Sequence, residues 1–373
     1  MLYLLVAFLI SFASSLLLVR YNSLHSRYTA DCDTTGVQKY HDQPVPRVGG
    51  IAVLFAMACI LAVAMAREPA LGNDPLVLLL VSLPAFLGGL AEDLTKRVRV
   101  LSRLILAMIS GVAAYYFLGA TLTRLDIFGV DWLLQFGVVS LVCTTIAIAG
   151  AANAINIIDG YNGLAAVVSA MIFAGFAYVS YYLGDRLLLI SCVGMIGAIM
   201  GFLLWNYPRG LIFLGDGGAY FIGFMIGTVS VLMLARHPSV SAWFPLLLCI
   251  YPVFETLFSI YRKRILRGQS PGMPDGVHLH MLVYKRLIRW AWGGSKDIRH
   301  RYGRNAMTSP YLWLLSSFAV IPAVLFWQHQ YVLIICVFAF SIAYVVLYRK
   351  LVRFRAPSWL VIRKRRHRKQ LRP

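Results

Sequence analysis

The stretch Leu133-Leu-Gln-Phe-Gly137-Val-Val-Ser-Leu-Val-Cys143-Thr-Thr-Ile-Ala-Ile-Ala-Gly150-Ala-Ala-Asn153-Ala-Ile-Asn156-Ile-Ile-Asp159-Gly160-Tyr-Asn162-Gly163-Leu164 reads in two halves. Residues 133–152 are apolar for the length a helix needs to cross about 30 Å of hydrocarbon. Directly behind them come amides and an acid, residues that are costly in lipid and mark a functional site at a membrane boundary. The pattern recurs where Asn206 is followed by Phe213-Leu-Gly215-Asp216-Gly217-Gly218, again between long apolar runs.

Working outward, the 373-residue chain is 60% hydrophobic and its mean hydropathy is +0.72. Apolar runs fall at 2–19, 48–66, 75–92, 101–118, 133–152, 163–183, 187–204, 211–235, 242–261, 311–327 and 330–348. The expected fold is therefore all-α, a polytopic integral membrane protein of about eleven transmembrane helices. Counting cations on alternate sides of these spans orients it, because positively charged loops stay cytoplasmic. All but four of the 35 Lys and Arg fall on one side; Arg67, Arg124, Arg186 and Arg236 are the exceptions. That places the N-terminus outside, the C-terminus inside, and every polar motif at the cytoplasmic face. Residues 1–348 form one membrane domain, with its largest loop at 262–310, and 349–373 form a basic cytoplasmic tail.

A net charge of +20 on a cytoplasmic membrane face is a partner for anionic lipid, at about 1 kcal/mol per residue, so no nucleic acid is expected. The tail Arg363-Lys-Arg-Arg-His-Arg-Lys369 is expected to be solvated and lipid-touching. Residues 1–19 lack a positive segment ahead of the apolar run, so a retained first helix fits better than a cleaved signal. The six cysteines have no paired spacing and five fall in spans, which argues for packing rather than disulfides or metal ligation. Leu279 to Trp292 interleaves Trp, Tyr and Leu with Lys285, Arg286 and Arg289, the pattern of an amphipathic helix at headgroup level.

Five segments share the cytoplasmic side: Lys39-Tyr-His41-Asp42-Gln-Pro-Val-Pro46-Arg47-Val-Gly49-Gly50, Glu92-Asp93 with Lys96, the Asn153–Leu164 motif, Asn206–Gly218, and Asp275-Gly-Val-His278-Leu-His280. Paired acids such as Glu92-Asp93 suit a hard divalent cation completed by substrate phosphates, or else form a surface charge pair beside Lys96 and Arg97. Asn153, Asn156 and Asp159 recur every three residues and share one helix face, which is more polarity than a helix end requires. Asp216 lies between glycines that admit close backbone approach, at the start of a long helix whose dipole favours anions. An N-cap is the plainer reading of the same residue. His278 and His280 converge only from an extended loop, and without a Cys or a third ligand they suit phosphate or proton handling better than zinc; a loop His with no role also remains open.

In this order the motifs resemble the polyprenyl-phosphate N-acetylhexosamine-1-phosphate transferases over about residues 38–290. The resemblance implies transfer of a sugar-1-phosphate from a UDP-N-acetylaminosugar, UDP-GlcNAc or a relative, to undecaprenyl phosphate, with Mg²⁺ (or Mn²⁺) and release of UMP. It implies a bacterial inner-membrane enzyme with a cytoplasmic active site, a homodimer, and a role in starting O-antigen or other surface polysaccharides. By position it implies Lys39, His41 and Arg47 on substrate, Glu92 and Asp93 at the lipid phosphate, and Lys96, Asn153, Asn156 and Asn206 in substrate binding. Asp216 with Asp159 would take the metal, and His278 and His280 the pyrophosphate. The chain departs from the pattern at Glu92, where an aspartate is usual, at Asn162, where many members carry an acid, and at Met281, where a further His is common. The physical logic suits the reaction, since two polyanions meet only if cations offset their repulsion.

Two other readings draw on the same residues. The phospho-N-acetylmuramoyl-pentapeptide transferase of peptidoglycan shares these motifs, although the span count and the His-Leu-His form fit it less well. A transporter or lipid flippase would place its acids near the bilayer midplane, and here they gather at helix ends.

Overall fold

The computed structural model describes residues 1–31, 45–268, 270, 276–288 and 298–353, with backbone alone at 27, 28, 30, 31 and 298–303. Lys39, His41 and most of the basic tail lie outside the described residues. The helices are α1 (Leu2–Arg20), α2 (Asn22–Thr29), α3 (Gly49–Arg67), α4 (Asp74–Thr95), α5 (Val100–Leu118), α6 (Val130–Leu134), α7 (Gly137–Ile158), α8 (Leu164–Leu183), α9 (Arg186–Asn206) and α10 (Gly215–Arg236). They continue as α11 (Trp243–Leu248), α12 (Ile250–Tyr261), α13 (Leu279–Leu282), α14 (Ile298–Leu325) and α15 (Gln330–Val352). The one strand pairing among the described residues is a two-residue antiparallel ladder, β1 (Ala30–Asp31) with β2 (Val45–Pro46).

Ten helices among the described residues are long and apolar enough to cross a membrane. The eleventh expected span, 242–261, is broken at Cys249 into α11 and α12. Pro252 is the cause: it has no N–H for the Leu248 carbonyl and its ring clashes with that turn, so the ladder restarts with Val253 N–H on Cys249 O at 3.2 Å. The pair nevertheless runs from one end of the bundle to the other. Ala242 N–H donates to Asp126 at one end, and Glu255 meets His278 at the opposite end.

Helix α10 is the axis. It is enclosed along almost its whole length, packed by α7, α4, α3, α8 and α5. Small residues let α7 lie directly on it: a Cβ at Gly223 would stand 2.5 Å from Ala152 Cα, and one at Gly227 2.8 Å from Ile148 Cα. In a membrane, where lipid is as apolar as leucine, such close packing is what holds helices together.

The sparsely charged end is locally neutralised. Arg186 pairs with Glu68, Arg236 with Asp74 at 3.1 Å, and Arg124 with Asp126 at 2.8 Å. The expected headgroup helix at 279–292 is different in place and shape. Residues 279–282 are α-helical and 283–288 form a wider π-turn; Leu279, Leu282, Val283, Leu287 and Ile288 are buried in the protein core rather than turned outward. Positions 289–292 lie outside the described residues.

Candidate functional site

The first turn of α10 leaves backbone N–H groups without helical partners, and a neighbouring helix supplies the acceptor. Asp93, near the end of α4, is 1% exposed. Its Oδ1 accepts Asp216 N–H at 2.9 Å and its Oδ2 accepts Gly217 N–H at 2.8 Å. Glycine permits this approach, because a Cβ at Gly89 would collide with the Asp216 carbonyl group and one at Gly50 with the Gly218 backbone. Gly215, at φ +76°, turns the chain into the helix. The segment before α10 is strapped to the one before α3: Phe213 N–H donates to Pro46 O, Gly49 N–H to Phe213 O and Gly50 N–H to Leu214 O, each at 2.9 Å.

That strap delivers Arg47. Its Nε lies 3.5 Å from Asp93 Oδ1 and its Nη2 3.1 Å from Asp216 Oδ1. The other Asp216 oxygen is ion-paired to Arg103 of α5. Arg103 stands 5.8 Å over the Tyr220 ring, and the Tyr220 hydroxyl donates to Asn153 Oδ1 at 3.4 Å. Asp159, the residue that ends α7, lies within electrostatic reach of both Asp93 and Arg47. Burial pushes its carboxyl up to about 7, against the pull of Arg47. The centre thus holds two arginines among three aspartates at one end of the bundle.

The turn after Asp159 is fixed by amides. Asn206 Oδ1 accepts Gly163 N–H at 2.6 Å while its Nδ2 donates to Ile212 O at 2.8 Å. Asn162 N–H donates to Asn305 Oδ1, its Nδ2 to Pro208 O, and its carbonyl accepts the Ser309 hydroxyl. On the far side of this turn stand the histidines. The His278 and His280 rings are parallel, 7° apart with centroids at 5.3 Å, and His280 meets Tyr161 edge-on at 5.6 Å. A Cβ at Gly160 would lie 3.2 Å from His280 Nε2. His278 Nδ1 is 2.8 Å from Glu255 Oε1.

Of the residues singled out in the sequence, Arg47, Asp93, Asn153, Asp159 and Asp216 are therefore brought together, with His278 and His280 one turn of chain away. Asn156 lies half-buried on the last turn of α7, between Asn153 and Asp159. Glu92 faces the other way: its Oε2 accepts Val98 N–H at 2.7 Å in the turn after α4. Lys96 ends α4 in a left-handed conformation, φ +54°, and is exposed. Arg103, Glu255, Tyr220 and Tyr344 join the site residues without belonging to any of the sequence motifs. In the sequence Arg103 reads only as a loop charge and Glu255 is hidden inside an apolar run, although a charged residue within a span is itself a signal.

Among the described residues no group of three His, Cys, Asp or Glu is arranged as a metal centre. The donors present near Arg47 are carboxylates, hard oxygen ligands that suit a divalent cation completed by substrate phosphates.

A family model described as glycosyl transferase family 4 matches residues 75–234, which include Asp93, Arg103, the Asn153–Gly163 segment, Asn206 and Asp216. The chain is 30% identical over 286 residues to a probable undecaprenyl-phosphate N-acetylglucosaminyl 1-phosphate transferase of Bacillus subtilis, covering 74% of this chain and 75% of that protein. It is 28% identical over 268 residues to an undecaprenyl-phosphate alpha-N-acetylglucosaminyl 1-phosphate transferase of Thermotoga maritima, covering 72% and 78%. The similarly named protein of Salmonella typhimurium is 29% identical over 263 residues, covering 68% and 69%.

Proposed function

Given that this chain belongs to glycosyl transferase family 4, we propose that it transfers an N-acetylhexosamine-1-phosphate from a UDP-sugar to undecaprenyl phosphate, releasing UMP. The observation that carries this reading is the Arg47–Asp93–Asp216–Arg103 cluster on the first turn of α10, with the Asp159 turn and the paired imidazoles beside it. Transfer of a phosphoryl group asks for positioning and for charge stabilisation rather than for a demanding covalent apparatus, and this cluster offers both. A Mg²⁺ ion would be held by Asp216 and Asp159, where its charge would offset that of the pyrophosphate. Arg47 and Arg103, which now neutralise Asp216, are placed to turn toward phosphate oxygens when substrate arrives. Asp93 holds the α10 N-terminus and Arg47 in register, which limits its freedom to take a proton from the lipid phosphate. His278 and His280 would meet the donor pyrophosphate, and Asn153, Asn156, Lys39, His41 and Lys96 would line its approach.

The broken pair α11–α12 serves in this reading as an eleventh crossing, which keeps the N-terminus outside, the C-terminus cytoplasmic and the site at the cytoplasmic face of a bacterial inner membrane. UDP-GlcNAc is the first donor to test, and initiation of O-antigen or another surface polysaccharide is the role proposed. The experiment is UMP release by purified protein given undecaprenyl phosphate, Mg²⁺ and a panel of UDP-N-acetylaminosugars. Release with one sugar, requiring lipid and metal, supports the proposal; no release with any donor, the muramoyl-pentapeptide included, refutes it.

A further inference from the structure

Glu255 is a wholly buried acid in a membrane protein, held between a backbone N–H, a tyrosine hydroxyl and an imidazole. Oε1 lies 2.8 Å from His278 Nδ1, both oxygens receive Leu279 N–H at 3.3 Å, and Oε2 accepts the Tyr344 hydroxyl at 2.6 Å. With Leu279 N–H and the Tyr344 hydroxyl already donating to it, the carboxyl is best matched as the anion, with a proton on His278 Nδ1 completing the set of donors. A buried carboxylate without such partners is strongly disfavoured, so the arrangement is built around the charge.

Resting on the transferase reading above, we infer that Glu255 is a positioning residue for the reaction: it fixes the His278 ring and its Nδ1–H form, so that Nε2 is the nitrogen offered to a substrate phosphate oxygen. The hydrogen bond at one ring nitrogen decides which state the other presents. Tyr344 braces the far oxygen of the carboxylate from α15, and the Tyr348 hydroxyl ties down the adjacent turn by donating to Val277 O at 3.1 Å. The last helix of the bundle thereby supports the histidine loop. The other titratable or charged groups around this cluster are His280 on the stacked ring, Tyr344 and Tyr251 beside Glu255, and Arg262, whose guanidinium lies 5.4 Å over the Tyr348 ring.

Two readouts test it. In UMP-release assays of the full chain in detergent, Glu255→Gln should lower kcat about 10- to 100-fold, as loss of an orienting carboxylate behind a functional histidine does. It should also change the shape of the pH profile, because the hydrogen bond at one ring nitrogen governs the state of the other. Glu255→Gln combined with His278→Ala should be no worse than His278→Ala alone, because the first acts through the second. Losses that multiply, or a pH profile that keeps its shape, would mean that Glu255 only braces the fold, and would overturn the inference. If Glu255→Gln does not fold, the second readout, made on wild-type protein, decides. The second readout needs no turnover. Nitrogen NMR of ¹⁵N-histidine-labelled protein should show His278 protonated at Nδ1, with the resonance assigned by its loss in His278→Ala. An Nε2–H neutral form in the wild type would overturn the positioning role even where UMP is released. Wild-type protein that releases no UMP yet shows the Nδ1–H form would instead refute the reaction assigned and leave the Glu255–His278 unit standing.

Discussion

Replacing Asp93 with asparagine tests whether this residue builds the site or only acts in it. Its carboxylate, 1% exposed, accepts two backbone N–H groups of the α10 first turn and faces Arg47. Asparagine keeps one acceptor oxygen but turns an NH₂ toward the second N–H. One charge-assisted bond, about 1.5–3 kcal/mol, is lost and a buried donor is stranded. A further few tenths to 1 kcal/mol goes with the anion at the helix N-terminus. The expected loss of stability is about 3 kcal/mol. Glu92→Gln, which can keep its bond to Val98 N–H at a half-buried position, should cost less than about 1 kcal/mol. The assay is equilibrium unfolding in mixed micelles, with UMP release on the same preparations, where Asp93→Asn should also be the more damaging change. An Asp93→Asn protein that unfolds with the wild-type midpoint would refute the reasoning, since the two bonds would then carry no structural weight.

Three further outcomes are expected. Asp216→Asn should abolish Mg²⁺-dependent transfer while the protein stays folded in membranes; near-normal turnover would remove Asp216 from the metal role. Gly50→Ala should cost about 1–3 kcal/mol, the usual penalty of overpacking, because its Cβ meets the Gly218 backbone rather than a movable side chain; a wild-type melting temperature in detergent would contradict the close approach. Without added metal, Asp159 makes stability fall as pH rises from about 4 to about 7. In that window the folded carboxyl, held up to about 7, keeps a proton that the unfolded one has shed, so the slope reaches about 1.4 kcal/mol per pH unit. Asp159→Asn should flatten that part of a stability–pH curve, and an unchanged slope would show that Asp159 is not the group responsible.

Helices were legible because hydropathy and length are properties of the segment alone: the expected spans at 163–183 and 101–118 differ from α8 and α5 by one residue at most. Hydropathy does not register proline, so the 242–261 run read as one helix although Pro252 breaks it. Nor does it distinguish lipid from protein as the partner of an apolar face, which is why the segment from Leu279 reads as a headgroup helix while its side chains pack inward. The site was legible where acids and amides interrupt the apolar pattern in groups, as at Asn153 to Asp159. It was not legible at Arg103 and Glu255, because what they do depends on tertiary partners, Asp216 for Arg103 and His278 with Tyr344 for Glu255. The carboxylate bonds that occupy Asp93 are tertiary as well, since no spacing in the chain relates residue 93 to the N–H of residue 216.

The enclosure of α10 also separates the chemistry from the mechanics of the bilayer. Membranes of different thickness press on proteins by tilting or straining the helices that touch lipid, at a fraction of a kcal/mol per ångström of mismatch. Here such forces fall first on peripheral helices such as α1, α5 and α15, whose outward faces carry exposed residues like Leu9, Ile109 and Phe338. The helix that presents Asp216 has almost no surface for lipid to push on. Changes in acyl-chain length should therefore alter how firmly the outer helices are held well before they disturb the register of Arg47, Asp93 and Asp216.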